Sequence, residues 1–140
     1  MPINILVVDD SKSMRSVIKK VLQISGFDLG DLYEAGNGQE ALQVLQDCWV
    51  DLILTDVHMP EMGGIDLLKA LKADEVLKKV PVVLITTEGR EEKVQEAFSL
   101  GAIGYLKKPF TPEQIKETLT KVVGEEYAAP PEEDFDGCDF

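Results

Sequence analysis

The chain reads as a doubly wound α/β domain built on a parallel sheet. Three observations carry that reading. Five short apolar runs alternate with five stretches whose apolar residues recur at helical spacing. The runs are nearly continuous, as in strands buried on both faces, and do not alternate with polar residues. Acidic, hydroxyl and basic residues stand just past the ends of those runs, where sheets of this class place their ligands.

The elements follow in order. Ile3–Val8 is apolar apart from Asn4 and predicts the first strand. Met14, Val17, Ile18, Val21 and Leu22 predict a helix, with Gly26 placed as its terminating glycine. Leu32–Ala35 predicts a short second strand. Asn37 followed by Glu40 reads as a helix cap, opening a helix through Ala41, Leu42 and Leu45. Leu52–Thr55 is the third strand and runs into Asp56. Residues 59–64 (MPEMGG) form a loop, and Ile65, Leu67, Leu68 and Leu71 mark a third helix. Val82–Thr86 is the fourth strand. Val94, Ala97, Phe98 and Leu100 lie on a fourth helix that stops at Gly101. Ile103–Leu106 is the fifth strand. Thr111-Pro112-Glu113-Gln114 combines a capping box with Pro at the first helical position, and Ile115, Leu119, Val122 and Val123 give that helix its apolar face.

Size and charge narrow the possibilities. The 140 residues suit one domain, and 44% hydrophobic with 29% charged residues is a globular composition. The net charge of −12 argues against bulk nucleic-acid binding or a polybasic membrane contact. No apolar run is long enough to span a bilayer, and MPINILVVDDS has no basic region ahead of its apolar run, so neither a transmembrane segment nor a signal peptide is expected. Cys48 and Cys138 form no disulfide framework, which predicts a reduced, cytoplasmic protein. Cys48 and Trp49, just before the third strand, are expected to pack under a loop. The acidic excess is concentrated in residues 125–140, which hold seven acids and no base. The domain is therefore assigned to 1–124. Residues 125–140 read as an acidic tail without regular structure, or as a docking peptide anchored by Tyr127, Phe135 and Phe140.

The strand ends carry the chemistry. Asp9 and Asp10 follow the first strand, Asp56 the third, Thr86, Thr87 and Glu88 the fourth, and Lys107 and Lys108 the fifth. Carboxylates brought together there repel one another, and a divalent cation resolves the repulsion. Oxygen donors without a Cys or His cluster suit Mg²⁺ or Mn²⁺. Lys108 can pair with surplus negative charge or with a bound phosphoryl group, and the Thr86 hydroxyl can donate to the same group. Such a set suits phosphoryl transfer, where positioning and neutralisation of charge do most of the work. A carboxylate is a competent acceptor, forming an acyl phosphate. Chemistry alone leaves open which aspartate attacks, although the Asp9-Asp10 pair is the better metal clamp.

VVDDS (7–11), DVHMPEMGG (56–64), ITTEGR (85–90) and GYLKKPF (104–110) together resemble the receiver domain of bacterial response regulators, in that family's order and spacing over about 1–124. The stand-alone chemotaxis regulators are the members it is most similar to. The resemblance implies a flavodoxin-like sheet of strand order 2-1-3-4-5. It implies that Asp56 accepts the phosphoryl group from a phosphohistidine of a sensor histidine kinase. It further implies that Asp9, Asp10, Asp56 and the backbone carbonyl of His58 hold Mg²⁺, that Thr86 and Lys108 contact the phosphoryl oxygens, and that Tyr105 is the switch aromatic moving with Thr86. The Lys108–Pro109 bond would be cis. His58, Thr87 and Glu88 are the positions expected to tune the lifetime of the acyl phosphate, His58 with a pH dependence if it titrates near 6.5.

On this reading the protein is a signalling phosphoacceptor and not a conventional enzyme. Its signal would pass through the face of the fourth helix, fifth strand and fifth helix. The partner would be a chemotaxis target such as the flagellar motor switch, or a second phosphotransfer protein in a relay, and a phosphatase could act on it. Competing readings fit less well. An FMN carrier of the flavodoxin type needs a hydroxyl- and Gly-rich cradle where Asp9-Asp10 stands. A phosphatase of the haloacid-dehalogenase type has Asp, not His58, two residues after its nucleophile. An inactive receiver would not need the full set of Asp9, Asp10, Asp56, Thr86 and Lys108.

Overall fold

A single register explains why distant residues meet in this fold. The computed structural model describes residues 2–57, 59, 62–86, 91–108 and 110–123, excepting the side chains of 91–93 and 123. Among the described residues the order is β1 (Ile3–Val8), α1 (Lys12–Ile24), β2 (Leu29–Ala35), α2 (Gly38–Asp47), β3 (Leu52–Asp56), α3 (Gly64–Lys72), β4 (Val82–Thr86), α4 (Glu91–Ser99), β5 (Gly104–Lys107) and α5 (Pro112–Val123), with a 3₁₀ turn at Leu77–Lys79. The strands form one parallel sheet, β2-β1-β3-β4-β5, the expected order. Val8 pairs with Thr55, Asp56 with Ile85 and Thr86 with Lys107. The residues just past β1, β3, β4 and β5 are therefore brought level at one edge.

Alternate residues of the central strands point to opposite faces. Leu6, Val8, Ile53 and Leu84 pack with Ala41 of α2, Leu67 of α3 and Ala97 of α4. Ile5, Val7, Leu54 and Ile85 pack with Ile18 and Leu22 of α1 and Ile115 and Leu119 of α5. Burial of each large aliphatic side chain stabilises the fold by about 1.5–3 kcal/mol, and both faces of the sheet contribute such burial.

The helix ends follow from local chemistry. Ser11 Oγ accepts from the Met14 N–H at 3.2 Å, and Asn37 Oδ1 from the Glu40 N–H at 2.9 Å. Thr111 and Gln114 form a reciprocal capping box: Thr111 Oγ1 accepts from the Gln114 N–H at 3.1 Å, and Gln114 Oε1 from the Thr111 N–H at 2.9 Å. At the end of α4 the Ala102 N–H donates to Ala97 O and the Gly101 N–H to Phe98 O. That is a Schellman ending, and Gly101 takes the positive φ of 112° it requires.

Four expectations change. β2 begins at Leu29, not Leu32, because this edge strand is held by pairing Ile3 with Leu29 through a register shift and not by an apolar run. β5 runs Gly104–Lys107, one residue later than expected, and leaves Ile103 exposed ahead of it. The Ile103 N–H still donates to Val82 O at 3.0 Å, and at Gly104 a Cβ would press on Val83. Val17, read as part of the apolar face of α1, is exposed. Trp49 is not packed under a loop: 73% of it is accessible, and its Nε1 donates to Asp51 Oδ1 at 2.8 Å. Cys48 is half-buried. Among the described residues, no helix is long and apolar enough to cross a membrane.

Candidate functional site

The site is built from strand ends. Asp9 follows β1 and is buried, with its backbone N–H donating to Ala35 O at 3.1 Å. Asp10 is exposed beside it, and Asp56 closes β3 in a half-buried position. One carboxylate oxygen from each lies within 4.8 Å of the others. Lys108 reaches in from beyond β5. Its backbone N–H donates to Thr86 O at 2.7 Å, which extends the β4–β5 pairing by one residue. Its Nζ donates to Asp9 Oδ2 at 2.9 Å and to Asp56 Oδ2 at 3.5 Å, with only 8% of the side chain exposed.

The remaining oxygens are held by the chain itself. Asp9 Oδ1 accepts from the Ser11 N–H at 2.9 Å, and Asp56 Oδ1 from the Val57 N–H at 2.7 Å. Arg15 Nη1 donates to the Asp9 carbonyl at 2.5 Å while its Nε pairs with Glu34 at 2.9 Å. The first turn of α1 is thus tied to the acid pair. Thr86, the last residue of β4, is buried. Tyr105 is half-buried opposite Leu84, so the strand alternation puts it on the face shared by Leu84 and Thr86.

Charge decides what can bind. Among the described residues, three carboxylates gather around one buried ammonium in a partly desolvated cluster. The donor set is oxygen throughout, which suits a hard divalent cation. Asp9, Asp10 and Asp56 therefore fit Mg²⁺ in number, donor type and charge.

The structure brings together Asp9, Asp10, Asp56 and Lys108, and places Thr86 and Tyr105 on adjoining strands. His58, Thr87, Glu88 and Pro109 lie outside the described residues, as do 124–140. Two contributors escaped the sequence reading. Arg15 belongs to none of the motifs that mark the site in the sequence. Gly64 opens α3 so close to the strand end that a Cβ there would overlap the Asp56 carbonyl, while its N–H donates to Val57 O at 3.0 Å. The Gly63-Gly64 pair after the loop was the available signal.

Residues 5–120 match the response regulator receiver domain family, and the chain belongs to it. Its relatives narrow the type. Chemotaxis protein CheY-3 of Vibrio cholerae is 45% identical over 118 residues, 84% of this chain and 89% of that protein. Chemotaxis protein CheY1 of Helicobacter pylori is 43% identical over 121 residues, 86% of this chain and 96% of that one. Among solved structures, Vibrio cholerae CheY4 superposes with a TM-score of 0.78 at 38% identity, covering 87% of this chain and 99% of that one. The chain is a receiver of the CheY type, a class of phosphoacceptor signalling proteins.

Proposed function

We propose that Asp56 accepts a phosphoryl group from the phosphohistidine of a sensor histidine kinase, and that the phosphorylated chain controls a protein target in chemotaxis. The observation that carries this reading is the buried Lys108 ammonium between Asp9 and Asp56. It supplies a cation beside a half-buried, strand-end carboxylate that opens to the solvent edge.

An Asp56 carboxylate oxygen forms the new bond to phosphorus as the bond from phosphorus to the kinase imidazole nitrogen breaks. The product is an acyl phosphate on Asp56 and a free histidine on the kinase. Lys108 exchanges its contact with Asp56 for one with a phosphoryl oxygen, and the Thr86 hydroxyl donates to another. Asp9, Asp10, Asp56 and the His58 carbonyl would hold Mg²⁺, which would supply positive charge where carboxylates and phosphoryl oxygens come together. Water later cleaves the acyl phosphate, at a rate set by His58, Thr87 and Glu88. Movement of Thr86 towards the phosphoryl group frees space for Tyr105, and the face of α4, β5 and α5 changes its population of shapes. The chemotaxis role in the names of the CheY relatives supports a target in chemotaxis, and a motor-switch type of target in the cytoplasm belongs to the same reading.

Acetyl phosphate tests the reaction without a kinase. Covalent phosphate on the wild type with Mg²⁺ is the expected result, lost on chelation and lost in Asp56→Asn. Phosphate retained by Asp56→Asn, or none on the wild type, would overturn the assignment.

A further inference from the structure

We infer that the acidic tail, residues 125–140, docks on its own domain in the groove between α3 and α4, with Phe135 as the anchor.

The groove, of about 330 Å³, lies at the opposite edge of the sheet from the carboxylates. Leu68, Leu71, Phe98 and Leu100 contribute apolar surface, and Lys72 and Lys78 stand among its walls. Phe98 is 44% exposed, a large aromatic left open beside other apolar groups. Residues 69–79 hold four lysines, Lys69, Lys72, Lys78 and Lys79, against Asp74 and Glu75, within a chain of net charge −12. Lys78 spends its charge on a surface pair with Glu75 at 2.5 Å. Exposed pairs of this kind exchange partners at little cost.

The tail has the complementary pattern. Its seven acids are unopposed by any base, and Phe135 stands between Asp134 and Asp136. A ring flanked by two carboxylates matches an apolar floor that has lysines in its walls. The geometry of the chain favours docking in cis. α5 is the last described element, and its Val122 reaches Gly104 at the start of β5, where a Cβ would lie 3.3 Å from Val122 Cγ2. Gly104 is three residues from Gly101, which lines the groove, so the two are at most about 11 Å apart. The twelve residues from Val123 to Phe135 can span up to about 40 Å. The exposed Ile103 lies along that route. Tethering at this short range gives the tail a high effective concentration at the groove, so a weak contact suffices.

The tail carries its own handle. A nitroxide on Cys138, in full-length chain with Cys48→Ser, reads distance to each backbone amide by broadening. We expect strong broadening at Phe98, Leu100 and Gly101 that is unchanged on dilution and relieved in Lys72→Glu/Lys78→Glu. Raising salt to about 0.5 M should weaken it, since the Debye length then falls well below 10 Å. Broadening that fades on dilution would assign the groove to a second copy. Broadening centred on α1, or absent from the domain, would overturn the proposal equally. Hydrogen exchange on chain with both native cysteines gives an independent reading: peptides covering 96–103 should exchange several-fold faster in Phe135→Ser/Phe140→Ser. Equal exchange would refute docking at this groove. Neither readout uses phosphate, so failure here leaves the Asp56 assignment standing.

Discussion

The two edges of the sheet are built on opposite principles. At the carboxyl edge, Asp9, Asp10 and Asp56 are forced within 4.8 Å of one another with one lysine among them. At the amino edge, β3 and β4 begin beneath apolar grooves lined by Trp49, Val76 and Val80 on one side and Phe98 on the other. One edge stores electrostatic repulsion and the other leaves apolar surface uncovered. Both are costs to the isolated domain that a bound group would relieve. They differ in what relieves them: opposite charge at the first, burial at the second.

Four measurements would break or sharpen that contrast. The largest effect belongs to Lys108→Met. It strands the buried Asp9 carboxylate, and metal-free urea unfolding should show a loss of about 3 kcal/mol, the low end for breaking a buried pair. A loss below about 1 kcal/mol would mean the repulsion is already screened by water. Next is Mg²⁺ itself. At about 100 times its dissociation constant it should raise unfolding free energy by about 2.7 kcal/mol. Asp10→Asn should lose most of that gain, with calorimetry as the check.

Gly101→Ala places a side chain at a φ of 112° and should cost about 1–2 kcal/mol, while phosphate uptake from acetyl phosphate stays at the wild-type level. The smallest effect comes from Glu34. Its hydrogen bonds from Lys19, then from Arg15, hold its carboxyl below the usual 4.5. The folded chain therefore binds that proton less readily than the unfolded chain. The stabilisation is full above the unfolded value and is lost as pH falls through the folded one. For a pair this exposed it amounts to a few tenths of a kcal/mol. Glu34→Gln should flatten the acid limb of the stability curve by that much.

The sequence disclosed most where a residue's neighbours on the chain decide its fate. Ile3–Val8, Val82–Thr86 and the Thr111-Gln114 cap stand where their local patterns put them. The grouping of Asp9, Asp10, Asp56 and Lys108 was legible too, since parallel strands in one sheet bring their carboxyl ends to the same edge. What escaped depends on specific pairings, near or far, that the apolar pattern does not display. β2 starts early because Ile3 pairs with Leu29. Trp49 finds Asp51 and stays in solvent. The 3₁₀ turn at Leu77–Lys79 rests on Asp74, whose carboxylate accepts from the N–H groups of Val76 and Leu77 and is thereby held below its usual range. Gly64 matters through a backbone contact that no periodicity displays.

Lys108 also fixes when the cluster gains its buried ammonium. It stands 99 residues from Asp9 and 52 from Asp56. A chain made from its amino terminus releases all three aspartates before the lysine that faces them. Closing a loop of that length costs on the order of 4 kcal/mol in chain entropy, repaid only when β5 zips onto β4 and the Lys108 N–H reaches Thr86. Until that moment the three aspartates lack the buried ammonium that pairs with Asp9 and Asp56 in the finished fold. Docking of β5 on β4 is what delivers it.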